Sequence, residues 1–247
     1  MIRLRFIGLF LLASILFGCS KPEPHPNIRV AVAANFYPLM LELKKEFEAQ
    51  NSIEVELVSG ASGILSTQIR QGAPYDVFFS ADVNFSEGLF ADGYAASSPK
   101  TYAKGSLVLC SKMGNVSLEE LCMVGRSQKI GIANPKTAPY GMAALAFLKK
   151  QPCFEALEKN LVFANNINQL DQYISNGVVG LGFTSASSVT MKSFLRFSQE
   201  LPQTDGLEQA CVLLDGKQTP HPLSQKLIDY ILSEDIQNVI VSKGYRL

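Results

Sequence analysis

Three short segments hold the residues best suited to chemistry: Ala33-Ala34-Asn35, Gly60-Ala61-Ser62-Gly63 and Ala138-Pro139-Tyr140-Gly141. Each is small, uncharged and rich in hydrogen-bonding groups, and each stands where an apolar run gives way to a helical pattern. A helix start offers backbone N–H groups without intrahelical partners and the positive end of the peptide dipoles, so it suits an anion. Gly60 and Gly63 let the backbone approach a bound group with no side chain between. Asn35 and Ser62 add neutral side-chain donors. Taken singly, each loop reads first as a structural N-cap; three of them in one chain point to a shared role.

Other chemistry finds less support. There is no HExxH, Walker A or GxSxG motif, and Gly60-Ala61-Ser62-Gly63 lacks the spacing of a nucleophile elbow. His25 lies in a proline-rich stretch and His221 between Pro220 and Pro222, which argues against a histidine general base. The glycines of Gly177 to Gly182 cross a turn into a strand, the wrong context for a dinucleotide fingerprint. Asp76 and Asp82 could hold a metal, but DVFFSAD reads better as a strand end and a helix cap. The chain is therefore read as a binding protein rather than an enzyme, with no cofactor. Its 22 basic and 22 acidic residues cancel. A nucleic-acid binder would carry a basic surplus, so no nucleic-acid partner is expected.

The elements that must position these loops follow from periodicity. Ile28 to Ala33 is a buried-strand run, and Phe36, Leu39, Met40, Leu43 and Phe47 mark one face of a helix. Strand and helix then alternate: Ile53 to Val58 before Ile64 to Gln71, and Asp76 to Phe79 before Asn84 to Ala91. Leu107 to Ser111 and Lys129 to Ala133 read as strands, with a helix from about Tyr140 to Lys150. Leu161 to Ala164, Gln169 to Ser175 and Val179 to Phe183 give strand, helix, strand, and the tail from Pro222 to Gly244 is mostly helical. Such alternation predicts an α/β fold with mainly parallel sheets and flanking helices.

The N-terminus reads as a targeting segment. Arg3 and Arg5 precede an apolar run from Phe6 to Phe17, too short for a bilayer span and suited to a signal peptide. Leu16-Phe17-Gly18-Cys19 resembles a bacterial lipobox, although Phe17 is bulky for its place. The expectation is a signal peptide over residues 1–18, lipid on Cys19 and a tether over residues 19–26; a plain signal peptide with a chance cysteine is the alternative. Cys110, Cys122, Cys153 and Cys211 lie in no metal-ligand spacing and allow three pairings. Buried thiols and structural bridges both remain open.

VAVAANF (Val30 to Phe36), SGASGILSTQI (Ser59 to Ile69), GAPYDVFFSAD (Gly72 to Asp82), IGIANPKTAPYG (Ile130 to Gly141) and VVGLGFTSAS (Val178 to Ser187), in this order and spacing, resemble the periplasmic molybdate-binding proteins of ABC importers, the ModA family. The resemblance covers about residues 28 to 247. It implies a two-lobed type II periplasmic solute-binding fold, with lobe 1 over residues 27–107 plus 213–247 and lobe 2 over residues 108–212. Crossing strands would fall near Leu107 to Cys110 and Cys211 to Leu214, which suggests a hinge disulfide between Cys110 and Cys211.

Carried over by position, the family's ligand contacts fall on Asn35, Ser62, Tyr140 and Ile167. Asn35 and Ser62 would give backbone and side-chain donors, Tyr140 its backbone N–H and its hydroxyl, and Ile167 its backbone N–H. Ala34 would add a weaker backbone contact. Ser185 stands where many members carry a tyrosine. The implied ligand is molybdate or tungstate, bound as the oxyanion with no direct side-chain coordination of the metal. Phosphate would lack an acceptor for its proton, and sulfate would be too small to reach every donor. The implied partners are an ABC permease with its ATPase subunit and, through the lipid, the membrane. The implied place is the periplasm or the outer face of the cell membrane, as a monomer. The alternatives are a receptor for another oxyanion such as sulfate, and an exported α/β hydrolase.

Overall fold

Runs of buried β-branched and aromatic residues separated by amphipathic segments fold into two five-stranded sheets with helices against them. The structure is a computed structural model and describes residues 27–111, 114, 116–192, 197–201, 207–215 and 220–247. The expected signal segment, the tether and Cys19 lie outside the described residues. Among the described residues no helix is long and apolar enough to cross a membrane.

The chain begins β1 (Ile28–Ala33), α1 (Tyr37–Asn51), β2 (Val55–Gly60), α2 (Ser62–Arg70), β3 (Val77–Ser80), α3 (Val83–Ala91) and β4 (Lys100–Lys104). It continues into the second sheet through β5 (Leu107–Ser111), α4 (Leu121–Val124), β6 (Ile130–Ala133), α5 (Pro139–Lys149) and α6 (Phe154–Glu158). Next come β7 (Leu161–Ala164), α7 (Ile167–Ser175), β8 (Leu181–Ser185), α8 (Ala186–Met191) and β9 (Phe197–Glu200). The return is β10 (Glu208–Leu213), followed by α9 (Ser224–Ile231) and α10 (Glu234–Ser242).

The strand orders are β2-β1-β3-β10-β4 and β7-β6-β8-β5-β9. In each sheet the first three strands pair in parallel, as crossover helices require. Each sheet runs mainly one way, as expected, and is mixed through a single reversed strand. β10 runs against β3 and β4, and β5 against β8 and β9. The reversed strand in each sheet is the one that arrives from the other sheet, a reversal that local periodicity does not reveal.

Sheet membership also corrects one boundary. β10 lies between β3 and β4 in the first sheet, so the return crossing precedes Glu208 instead of falling near Cys211 to Leu214. The two crossings meet where the Gly105 N–H donates to the Leu207 carbonyl at 2.8 Å.

Parallel register brings the loops together. Ala33 is opposite Gly60 at the carboxyl ends of β1 and β2, and Ala133 is opposite Ala164 at those of β6 and β7. Ala33, Ala34 and Ala81 of the first lobe join the core of the second, packed with Tyr140 and Ile167. Only side chains this small let strand ends and helix starts from two lobes approach so closely.

The cysteines settle differently from the hinge bridge. Cys122 and Cys153 form a disulfide with Cα atoms 5.7 Å apart, which ties α4 to the start of α6. Cys110 and Cys211 are free and buried. Each sits inside a strand with neighbours on both sides, in different sheets, so no bridge between them forms. Burial pushes both thiols up to about 12, with Asp171 adding to the effect at Cys110.

Candidate functional site

Where the strand ends of the two lobes face each other lies a small cavity. It is lined by Ala33, Ala34, Asn35, Gly60, Ala61, Ser62 and Ala81 of the first lobe, and by Ala138, Pro139, Tyr140, Asn166 and Ile167 of the second. Its empty space is about 220 Å³. That is well below the roughly 300–1,000 Å³ of pockets for drug-sized ligands. The cavity suits one small polyatomic ion.

Three helix N-termini converge on it. Ser62 is the first residue of α2, Tyr140 the second of α5, and Ile167 the first of α7. Their backbone N–H groups, and that of Asn35, have no protein acceptor among the described residues. Ser62 supplies a fifth donor. Its Oγ accepts the Ala81 N–H at 3.0 Å, which leaves the hydroxyl proton free to point into the cavity. Asn166 caps α7 by accepting the Gln169 N–H at 3.0 Å. No charged side chain lines the cavity among the described residues. A bound anion would be balanced by helix dipoles and hydrogen bonds, each worth about 1.5–3 kcal/mol to a charged group.

Asn35, Ser62, Tyr140, Ile167 and Ala34 are thus brought together, though not all in the expected roles. The Asn35 amide faces away from the cavity, and Nδ2 donates to Gln209 Oε1 at 2.9 Å and to the Tyr245 hydroxyl at 3.4 Å. Asn35 therefore offers its backbone N–H alone. Both backbone groups of Ala34 are spent, its N–H on the Gly60 carbonyl at 2.9 Å and its carbonyl on Asn168 Nδ2 at 2.7 Å. Ala34 contributes only an apolar wall. Ser185 does not line the cavity. It is buried at the N-cap of α8, where its Oγ accepts the Ser188 N–H and bonds the Ser187 and Ser188 hydroxyls. Asp76 and Asp82 are likewise structural. Asp76 accepts the backbone N–H groups of Arg29 and His221, and Asp82 caps α3 through the Asn84 N–H.

Beneath the cavity lies a buried polar network that local sequence patterns do not announce. Gln209, in β10, accepts from Asn35 Nδ2 and from the Tyr102 hydroxyl at 3.0 Å, and its Nε2 donates to the Tyr140 hydroxyl at 3.3 Å. The Tyr245 hydroxyl donates to the Asn35 carbonyl at 2.9 Å. One glutamine therefore joins the first site loop to the α5 side chain of the other lobe. Tyr140 reaches it by crossing Gly105, where a Cβ would collide with the phenol oxygen. Burial, then the neighbouring Tyr245, raises the Tyr140 pKa far above the ordinary phenol value, so its hydroxyl stays protonated.

The lobes also touch directly across the cavity mouth. The Gly63 N–H donates to the Thr137 carbonyl at 2.9 Å, and Asn168 Nδ2 to the Ala34 carbonyl. The structure is a closed form.

Two α/β lobes on crossing strands, closed over an ion-sized cavity between helix N-termini, define a two-lobed solute receptor. The model of the bacterial extracellular solute-binding proteins matches residues 28–246. The molybdate-binding protein ModA of Azotobacter vinelandii is 36% identical over 229 residues, covering 90% of each chain. That of Rhodobacter capsulatus is 31% identical over 237 residues, covering 94% of this chain and 93% of its own. The solved periplasmic molybdate-binding protein of Azotobacter vinelandii superposes with a TM-score of 0.80 at 29% identity, over 90% of this chain and 99% of that one. The chain belongs to the bacterial extracellular solute-binding protein family, within its ModA group. Members of this family bind and deliver solutes and are not enzymes.

Proposed function

We propose that the chain is the extracytoplasmic solute-binding component of a molybdate or tungstate ABC importer. The observation that carries this reading is the donor set: four backbone N–H groups and the Ser62 hydroxyl converge with no charged group among them. Molybdate and tungstate are fully deprotonated at neutral pH, so all four oxygens only accept hydrogen bonds. Phosphate keeps a proton part of the time and needs a buried acceptor. The lining carries no carboxylate, and the Asn166 side-chain oxygen is already used by the Gln169 N–H. Sulfate carries no proton either, but its shorter bonds leave it too small to satisfy donors spread over three helices and a loop. The names of the molybdate-binding relatives agree with this ligand.

Capture proceeds by lobe closure. The first lobe presents Asn35 and Ser62, the second swings Tyr140 and Ile167 onto the exposed side of the ion, and water is displaced as the donor shell fills. The closed form then docks on a permease that works with an ATPase subunit. We place lipid on Cys19 after removal of residues 1–18, with residues 19–26 as a tether. The protein would act as a monomer in the periplasm or on the outer face of the cell membrane. Titration calorimetry with molybdate, tungstate, sulfate and phosphate tests the reading: saturable binding by the first two alone is expected, and a preference for sulfate or phosphate would overturn it.

A further inference from the structure

We propose that Asn168, oriented by Lys192 and Asp171, is a positioning residue that couples lobe closure to the Asn35 donor and sets how long the anion stays bound. This rests on the oxyanion-receptor reading above. Asn168 is the second residue of α7 in the second lobe, and its Nδ2 crosses the cleft to the Ala34 carbonyl at 2.7 Å. That carbonyl and the Asn35 N–H belong to one planar trans peptide and point to opposite sides. The Ala34 N–H, on the preceding peptide, is held by the Gly60 carbonyl; this anchors Ala34 and leaves the Ala34–Asn35 peptide free to rotate its plane. Asn168 grips one end of that peptide. The Asn35 N–H, without a protein acceptor, is left at the other end to donate into the cavity. A hydrogen bond accepted by the carbonyl polarises the peptide and strengthens its N–H as a donor, so latch and anion reinforce each other.

The orientation of Asn168 is itself imposed. Lys192 Nζ donates to Asn168 Oδ1 at 3.0 Å and pairs with Asp171 Oδ2. Asp171 is buried, and its other oxygen accepts the Thr184 hydroxyl. A cation held at Oδ1 prevents the amide from flipping, and so directs Nδ2 at Ala34. This gives a role to a half-buried lysine and a fully buried aspartate that lie outside the cavity lining. None of these three side chains lines the cavity, so they act through the peptide and not by touching the ion.

Stopped-flow binding and release of sodium molybdate by the purified protein, read by tyrosine fluorescence, tests this. Asn168→Ala should raise the dissociation rate about tenfold, the effect of one lost hydrogen bond of ordinary strength. The association rate should stay within twofold, and the melting temperature of the ligand-free protein should hold. Lys192→Gln leaves Asn168 in place but frees its amide to rotate, and should independently raise the dissociation rate. The double variant should release no faster than Asn168→Ala alone, because Lys192 acts through Asn168. Unchanged dissociation in N168A, or additive effects in the double variant, would overturn the latch. Wild-type protein that fails to bind molybdate would instead overturn the receptor reading and this inference with it.

Discussion

Replacing Gly63 with alanine should weaken anion binding while leaving the ligand-free protein as stable as before. A Cβ at residue 63 would sit 2.9 Å from the Thr137 carbonyl oxygen, 3.1 Å from Thr137 Cα and 3.3 Å from Phe85 Cε1. The Phe85 ring belongs to the same lobe and can give by a few tenths of an ångström. The Thr137 backbone belongs to the other lobe and must withdraw, which opens the cleft. Withdrawal breaks the bond from the Gly63 N–H to Thr137, worth about 0.5–1.5 kcal/mol. If the lobes stay closed instead, overpacking costs about 1–3 kcal/mol. Either route alone costs on the order of 1–3 kcal/mol, which raises the dissociation constant roughly 5- to 150-fold. The open form meets no such clash, and alanine in the first turn of α2 relieves about 0.5–1 kcal/mol of glycine entropy. Titration calorimetry with molybdate and thermal unfolding of the ligand-free variant measure the two sides. A dissociation constant within threefold of wild type would refute the closure geometry, as would a fall in ligand-free stability that matched the loss of affinity.

Ser62→Ala removes a donor to the anion and the acceptor of the Ala81 N–H. Calorimetry should show affinity lower by about 1.5–3 kcal/mol, and an unchanged value would remove Ser62 from the site. Affinity for molybdate should be flat from pH 6.5 to 9, because Tyr140, the sole titratable lining group among the described residues, stays protonated throughout. A sloping profile would mean that a titrating group reaches the ion. Stability has its own pH window. Burial raises Cys110 and Cys211 from 9.0 to about 12, so the folded state keeps protons that the unfolded chain gives up. Their contribution is complete below pH 9 and is lost as pH rises toward 12, which circular-dichroism melting from pH 8 to 11 should show. Alkylation followed by peptide mass spectrometry should leave Cys110 and Cys211 unmodified in the native protein and modified on unfolding. Cys122 and Cys153 should react only after reduction.

That Asn35, Ser62 and Tyr140 line one cavity was legible in the sequence, because small residues between an apolar run and a helical pattern are a local signal. Ile167 was reached only through family resemblance, since an apolar side chain says nothing about its own N–H. The orientation of the Asn35 amide was not legible. It depends on Gln209 and Tyr245, which lie 174 and 210 residues away in the chain and meet Asn35 only once the first sheet is assembled. The placement of β10 was missed for a related reason. EQACVL reads as a strand in either lobe, and the choice is made by pairing partners rather than by composition. β4 escaped notice because KTYAK carries lysines at both ends, as befits a sheet edge, which weakens its apolar signal.

Anomalous diffraction at the molybdenum edge, from crystals grown with molybdate, addresses the binding site most directly. One peak is predicted between the lobes, its oxygens within hydrogen-bond distance of the backbone nitrogens of Asn35, Ser62, Tyr140 and Ile167 and of Ser62 Oγ. A peak bound elsewhere by lysine or arginine side chains, or no peak between the lobes, would contradict a site built from uncharged donors.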